Sequence, residues 1–187
     1  MTDYEMLVNR GHKLSPLYKP EGLIEVPRDQ FNIVVPHKLS AVVYDNFLQL
    51  QEIAQKEGIQ LRINSAYRSY GEQSLIWAKT LARRGLEYTQ KHVAPPGASE
   101  HQTGLAADFT KVVNGINDNL TPEESNWLAE KGAPHGFILR YPKEKESITG
   151  FDYEAWHFRY VNPDLAQLLY ENSLTLEEYK EQKGMMR

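Results

Sequence analysis

Ser99-Glu100-His101-Gln102-Thr103-Gly104-Leu105-Ala106-Ala107-Asp108 is the stretch on which the reading of this chain turns. Leu105 to Val113 reads as a strand, and Asp108 stands inside it among Ala106, Ala107 and Phe109. A carboxylate in an apolar strand is costly unless it is paired or bound to a cation. Gly104 lets the backbone turn between the two polar residues, so His101 and Asp108 can converge from loop and strand.

A second segment, Tyr153-Glu154-Ala155-Trp156-His157-Phe158-Arg159-Tyr160, sets a histidine among large aromatic residues that exclude water. Glu154 precedes that histidine by three positions, near enough to share a site if the backbone turns there. Two histidines and an aspartate form an oxygen and nitrogen donor set for a divalent metal. Catalytic zinc typically takes three protein ligands and leaves a fourth position to water. His101, Asp108 and His157 are therefore candidate ligands, with Glu154 a base rather than a ligand. From spacing alone the plainer reading stays open: an aspartate paired with an arginine, and a Trp-His pair packed in the core. The helical HExxH metalloprotease pattern is absent. His12, His37, His92 and His135 lack comparable context and read as structural or solvated.

The third segment is Asn64-Ser65-Ala66-Tyr67-Arg68-Ser69-Tyr70-Gly71-Glu72-Gln73. Arg68 follows a strand and precedes a helix, a position from which side chains reach into clefts. A surface salt bridge is the alternative. Aimed at a metal site, Arg68 would stabilise a developing oxyanion.

The rest of the chain supplies a frame. Its 187 residues suit one domain, 1–187, able to bury a core without staples. There is no cysteine, which excludes disulfides, thiolate metal sites and a cysteine nucleophile. A net charge of -4 argues against nucleic acid as a partner. No apolar run is long enough to span a membrane, and residues 1–14 carry charges throughout. At face value this predicts a cytoplasmic protein; a chain relieved of an export segment would read the same.

Residues 1–36, punctuated by Pro16, Pro20, Pro27 and Pro36, read as an irregular wrap. His37–Lys56 reads as a helix, with Leu39, Val42, Val43, Phe47, Leu50, Ile53 and Ala54 in one stripe ended by Gly58. Ile59–Ala66 alternates as a half-buried strand. Tyr70–Arg83 reads as a helix with Leu75, Ile76, Ala78 and Leu81 inward, and Val93–Gly97 as a loop. Thr121, Pro122 and Glu124 start a helix running to about Lys131. Phe137–Tyr141 and Ala155–Val161 read as strands, and Leu174–Gln182 as a closing helix. The expected class is α+β: a small central antiparallel sheet flanked by helices.

Together the three segments resemble the zinc D-alanyl-D-alanine peptidases of the VanY/VanX family, which share a metal fold with hedgehog signalling domains. Their patterns occur here in order: Ala66-Tyr67-Arg68-Ser69 with Gln73, Ser99 to Asp108, and Glu154 to His157. Gly136 to Pro142, followed by Ile148-Thr149-Gly150, is also similar. The tail Leu174–Tyr179 looks most like the bifunctional VanXY type. The resemblance implies one zinc ion on His101, Asp108 and His157, and a zinc-activated water with Glu154 as general base. It implies Arg68 on the oxyanion, Ser99 and Gln73 as substrate-side hydrogen-bond donors, and Tyr153 and Trp156 as cleft walls, with core packing the equal alternative for these two aromatics. The implied substrate is the D-Ala-D-Ala dipeptide or a peptidoglycan stem peptide with that end. Two alternatives accompany it: an L,D-carboxypeptidase acting on tetrapeptide stems, and a zinc-containing binding domain without activity.

Overall fold

The structure is a computed structural model that describes residues 3–27 and 37–184. Part of the expected N-terminal wrap, including Pro36, lies outside the described residues. Within the rest of it, β1 (Leu23–Glu25) pairs antiparallel with β2 (Lys38–Ser40) as a separate two-stranded ribbon. The first helix is therefore shorter than its apolar stripe suggested. Lys38–Ser40 are extended, and α1 runs Ala41–Lys56 with Val43, Phe47, Leu50 and Ala54 buried. Gly58, at φ +78°, follows its end.

The central sheet is antiparallel throughout, in the order β3 (Leu61–Ser65), β4 (Ala106–Val113), β7 (His157–Tyr160), β6 (Phe137–Leu139). A short β5 (Ile116–Asp118) extends β4 as a hairpin through Asn114-Gly115. Both turn residues have positive φ, as a tight hairpin of this kind requires. Residues alternate between the two faces of a strand, and this decides the fold's division of labour. On one face Phe109 of β4 stacks on Phe158 of β7 at 4.8 Å. Phe47 of α1 joins them at 5.2 Å from Phe109, and Phe137 at 5.5 Å. The helices α1 and α3 (Pro122–Gly132) pack on this core. The residues just before Phe109 and Phe158, Asp108 and His157, face the other side.

α3 starts at Thr121 with a complete capping box to Glu124. A short α4 (Glu146–Thr149) lies in the connection from β6 to β7. The helices α5 (Pro163–Glu171) and α6 (Leu176–Gln182) bury Leu165, Leu169, Leu176 and Tyr179 against Ile138 and Val161 in a second cluster. α5 was not anticipated, although Asn162 caps it and Pro163 opens it.

The largest departure is α2 (Tyr70–His92). It continues to His92, past the expected end at Arg83, across a kink at Gly85 (φ 80°, ψ 175°). Leu75, Ala78 and Leu81 do not point inward; Leu75 is 60% exposed. Only Gln73 and Thr89 are buried along this helix, and Ile76 is half-buried. The apolar period was genuine, but among the described residues no element buries the stripe.

Candidate active site

Strand register places the first two ligand candidates. Asp108 of β4 stands directly opposite His157 of β7 and opposite Ser65 of β3, where β3 carries a bulge. Opposed residues in an antiparallel pair share a face at close range. His101 arrives from a 3-10 turn, Glu100–Thr103, closed by Gly104 in the left-handed region at φ 69°. One ligand atom from each of His101, Asp108 and His157 lies within 4.8 Å of the others, and all three residues are buried.

Each candidate ligand is braced through its other atom. His101 Nδ1–H donates to the Ala66 carbonyl at 2.7 Å, leaving Nε2 facing Asp108 Oδ1 at 3.2 Å. His157 presents Nδ1 to the same Oδ1 at 3.1 Å, while Nε2–H donates to Glu100 Oε2 at 3.3 Å. Asp108 Oδ2 accepts from the Arg68 guanidinium at 3.2 Å. Backbone or carboxylate acceptors behind metal-binding imidazoles are the usual outer shell of a metal site. With one carboxylate and two imidazoles able to converge, this donor set fits a divalent ion of the zinc class.

The charges around the two histidines differ. Burial and the nearby Arg68 charge push His101 down to about 4, so it is neutral and able to ligate. For His157 burial also lowers the pKa, but hydrogen bonds to Asp108 and Glu100 outweigh it and push it up to about 9. Glu154 is raised to about 7, chiefly by burial, with Asp108 adding like-charge repulsion. Its Oε2 lies 3.9 Å from His157 Nδ1, and its backbone N–H donates to the Tyr141 carbonyl at 3.1 Å.

These residues floor a cleft of about 210 Å³ that also holds Arg68, Gln73, Ser99 and Trp156. Arg68 stands three residues past the end of β3, just before the Ser69 cap of α2, and its backbone N–H donates to the His101 carbonyl at 3.2 Å. Gln73 supports it: its Oε1 accepts from Arg68 at 3.1 Å, and its Nε2 donates to the Ala94 carbonyl at 2.7 Å. Gln73 is thus largely committed to protein partners rather than turned freely to a substrate. Ser99 is buried at the cleft edge, and Trp156, 41% exposed, forms part of its wall.

Tyr153 does not line the cleft. Its ring packs against the main core, with the Lys143 ammonium 5.1 Å away. Its neighbour Glu154 faces the cleft, and adjacent residues in extended chain point opposite ways. The cleft also contains walls that sequence reasoning passed over. His92 and Val93 come from the return end of α2, and Tyr141 and Phe151 from the β6–β7 connection. Tyr141 stacks on the His157 ring at 4.9 Å. The Gly136–Pro142 stretch was noticed, but nothing local in it announces that contact.

The profile of the VanY family, described as D-alanyl-D-alanine carboxypeptidase, matches residues 36–163. This chain belongs to that family. It is 33% identical over 180 residues to the bifunctional D-Ala-D-Ala dipeptidase and D-Ala-D-Ala carboxypeptidase VanXYC of Enterococcus gallinarum, covering 92% of this chain and 91% of that protein. It is 37% identical over 181 residues to YodJ of Bacillus subtilis, covering 94% of this chain but only 66% of that protein, just under two thirds. Among solved structures, the LD-carboxypeptidase LdcB matches with a TM-score of 0.83 and 37% identity, over 94% of this chain and 84% of that one. A VanY D,D-pentapeptidase in complex with Zn(II) matches with a TM-score of 0.78 and 31% identity, over 94% and 98%. The VanY family membership agrees with the α+β class and with an antiparallel sheet flanked by helices.

Proposed function

We propose that this chain is a zinc-dependent peptidase that hydrolyses the terminal D-Ala-D-Ala bond of peptidoglycan precursors, as a D,D-carboxypeptidase, a D,D-dipeptidase or both. One observation carries the reading: three ligand atoms within 4.8 Å of one another, on a cleft floor shared with Glu154 and Arg68. A binding domain with a purely structural metal has no use for a base and an arginine beside it. His101, Asp108 and His157 would hold zinc. When bound, zinc would supply Lewis-acid chemistry, lowering the pKa of water to about 7 and polarising a carbonyl oxygen.

The chain's own groups do the rest. Glu154, poised near neutrality by burial, accepts the proton of the attacking water. It then delivers that proton to the departing amine. Arg68, held by Asp108 and Gln73, faces the negative charge that grows on the scissile carbonyl oxygen. Losing one such donor typically costs about 2.7–4 kcal/mol of transition-state stabilisation. Ser99, buried at the cleft edge, is the assigned donor to the substrate backbone. The cleft is smaller than the roughly 300–1,000 Å³ common for drug-sized ligands, which suits a short peptide end.

A second reading rests on one observation. LdcB, an LD-carboxypeptidase, is 37% identical to this chain, against 31% for the VanY pentapeptidase. An L,D bond in a tetrapeptide stem is therefore the competing substrate. Product mass spectrometry separates the two. The zinc-loaded protein is offered a pentapeptide stem ending in D-Ala-D-Ala, a tetrapeptide stem, and the free dipeptide, with Glu154→Ala alongside. Loss of one alanine from the pentapeptide, or cleavage of the dipeptide, abolished by the substitution, supports the D,D reading. Cleavage of the tetrapeptide alone supports the L,D reading. No cleavage of any of them overturns both.

A further inference from the structure

Behind the candidate metal site lies a cluster of fully buried charges that the mechanism above does not use. Glu100 has no exposed side-chain surface, and neither do Arg140 and Arg159. Its two oxygens face different partners. Oε1 accepts from Arg140 Nε at 2.8 Å and from an Arg159 Nη at 3.1 Å. Oε2 accepts from His157 Nε2–H at 3.3 Å. Arg140 reaches on to Glu177 of α6 with two hydrogen bonds, at 2.8 and 2.6 Å. Arg159 donates to the carbonyls of Tyr4 and Met6 at 3.2 and 2.9 Å. Glu177 also accepts from Asn9 at 3.1 Å.

Two arginines and two glutamates balance one another, so the cluster could be a device for docking the terminal segments and nothing more. Two features point elsewhere. One Glu100 oxygen serves both arginines and leaves the other for the imidazole. The His157 ring is also stacked on Tyr141, and half a turn about its Cβ–Cγ bond within that plane would put carbon atoms where Nδ1 and Nε2 now stand. The Nε2–H bond to Glu100 therefore selects the flip state and the tautomer in which an unprotonated Nδ1 faces Asp108 and the cleft. We propose that Glu100 is the positioning residue that keeps His157 Nδ1 aimed at the metal, and that Arg140, Arg159 and Glu177 hold Glu100 in that posture. The chain segments around Tyr4 and around Glu177 thereby become part of the metal site's support. This inference rests on the zinc-peptidase reading and deepens it.

Two measurements test it. The first needs no variant: long-range proton–nitrogen NMR of the zinc-loaded protein. The expected pattern is His157 protonated at Nε2 with zinc at Nδ1, and His101 protonated at Nδ1 with zinc at Nε2. Zinc at His157 Nε2 overturns the proposal, because Glu100 would then have no proton to accept. The second is zinc affinity by competition with a chromophoric chelator, for the wild type, Glu100→Gln and Glu177→Gln, with folding checked by circular dichroism. Glu100→Gln is expected to bind zinc about 10–100-fold more weakly while keeping its fold. Glu177→Gln, which does not touch His157, should fall between the two. Wild-type affinity in a folded Glu100→Gln overturns the proposal and leaves the peptidase reading standing. If Glu100→Gln does not fold, the NMR result decides. A wild type that binds no zinc removes the peptidase reading itself, and this inference with it.

Discussion

Glu154 is the residue on which the chemistry depends most directly. Glu154→Ala is expected to keep zinc, since the three ligand candidates are untouched, while turnover falls by about 10²–10⁴-fold or more. His157→Ala or Asp108→Ala should lose the metal itself. Metal analysis beside product mass spectrometry distinguishes the two outcomes, and normal turnover in Glu154→Ala removes the assigned base. His157 also sets a pH dependence for the metal-free protein. Its pKa rises from 6.5 to about 9 on folding, so its contribution is complete below 6.5 and disappears as pH climbs through 9. Glu154 acts in the same direction at lower pH, from 4.5 to about 7. The urea midpoint of metal-stripped protein should therefore drop between pH 6.5 and 9.5, by the equivalent of about 1–3 kcal/mol; a flat profile would contradict the placement of His157 between two carboxylates. The ligand candidates were legible because each sits in a short stretch whose neighbours are anomalous for a simple strand. Glu100 was not, because Arg140, Arg159 and Glu177 lie 40 to 77 residues away along the chain. Tyr153 stayed open between cleft wall and core for the opposite reason, since an aromatic next to Glu154 reads equally as either until the side it faces is known.

Secondary-structure elements respond to substitution according to what covers them. Gly104 turns the chain between His101 and β4 at φ 69°, and a Cβ there would stand 2.7 Å from Leu23 Cδ2. Gly104→Ala should lose at least about 1–2 kcal/mol in chemical denaturation, and weaken zinc binding as His101 shifts. Leu75→Ser, on the outer face of α2, should change stability by no more than about 0.5 kcal/mol. A larger loss would mean that the stripe is covered after all. Amphipathic periodicity showed that α2 exists and which residues share a face; it could not show whether another element packs there. α1 read better, because Phe47 and Leu50 meet the aromatic cluster of the sheet. Its first turn failed because Lys38–Ser40 find a strand partner in Leu23–Glu25, a pairing with no local signal.

At the scale of the whole molecule, the buried charge cluster matters more than its four residues suggest. Arg140→Met removes a partner from both Glu100 and Glu177 and leaves two carboxylates in the interior. Breaking such a pair on one side typically costs about 3–5 kcal/mol, and urea denaturation should register a loss of that size. A near-neutral result would show that water reaches the cluster. The same geometry brings the segment around Glu5 to α6: Lys180 Nζ lies 3.4 Å from Glu5 Oε2. Across the molecule, Ile116 beside the β4–β5 turn is 70% exposed, and the turn at Asn114-Gly115 lines none of the cleft described above. A backbone cut at that turn would therefore leave Glu100, His101 and Asp108 on one fragment and Glu154 and His157 on the other, with the pairing of β4 and β7 holding the two halves of the site together.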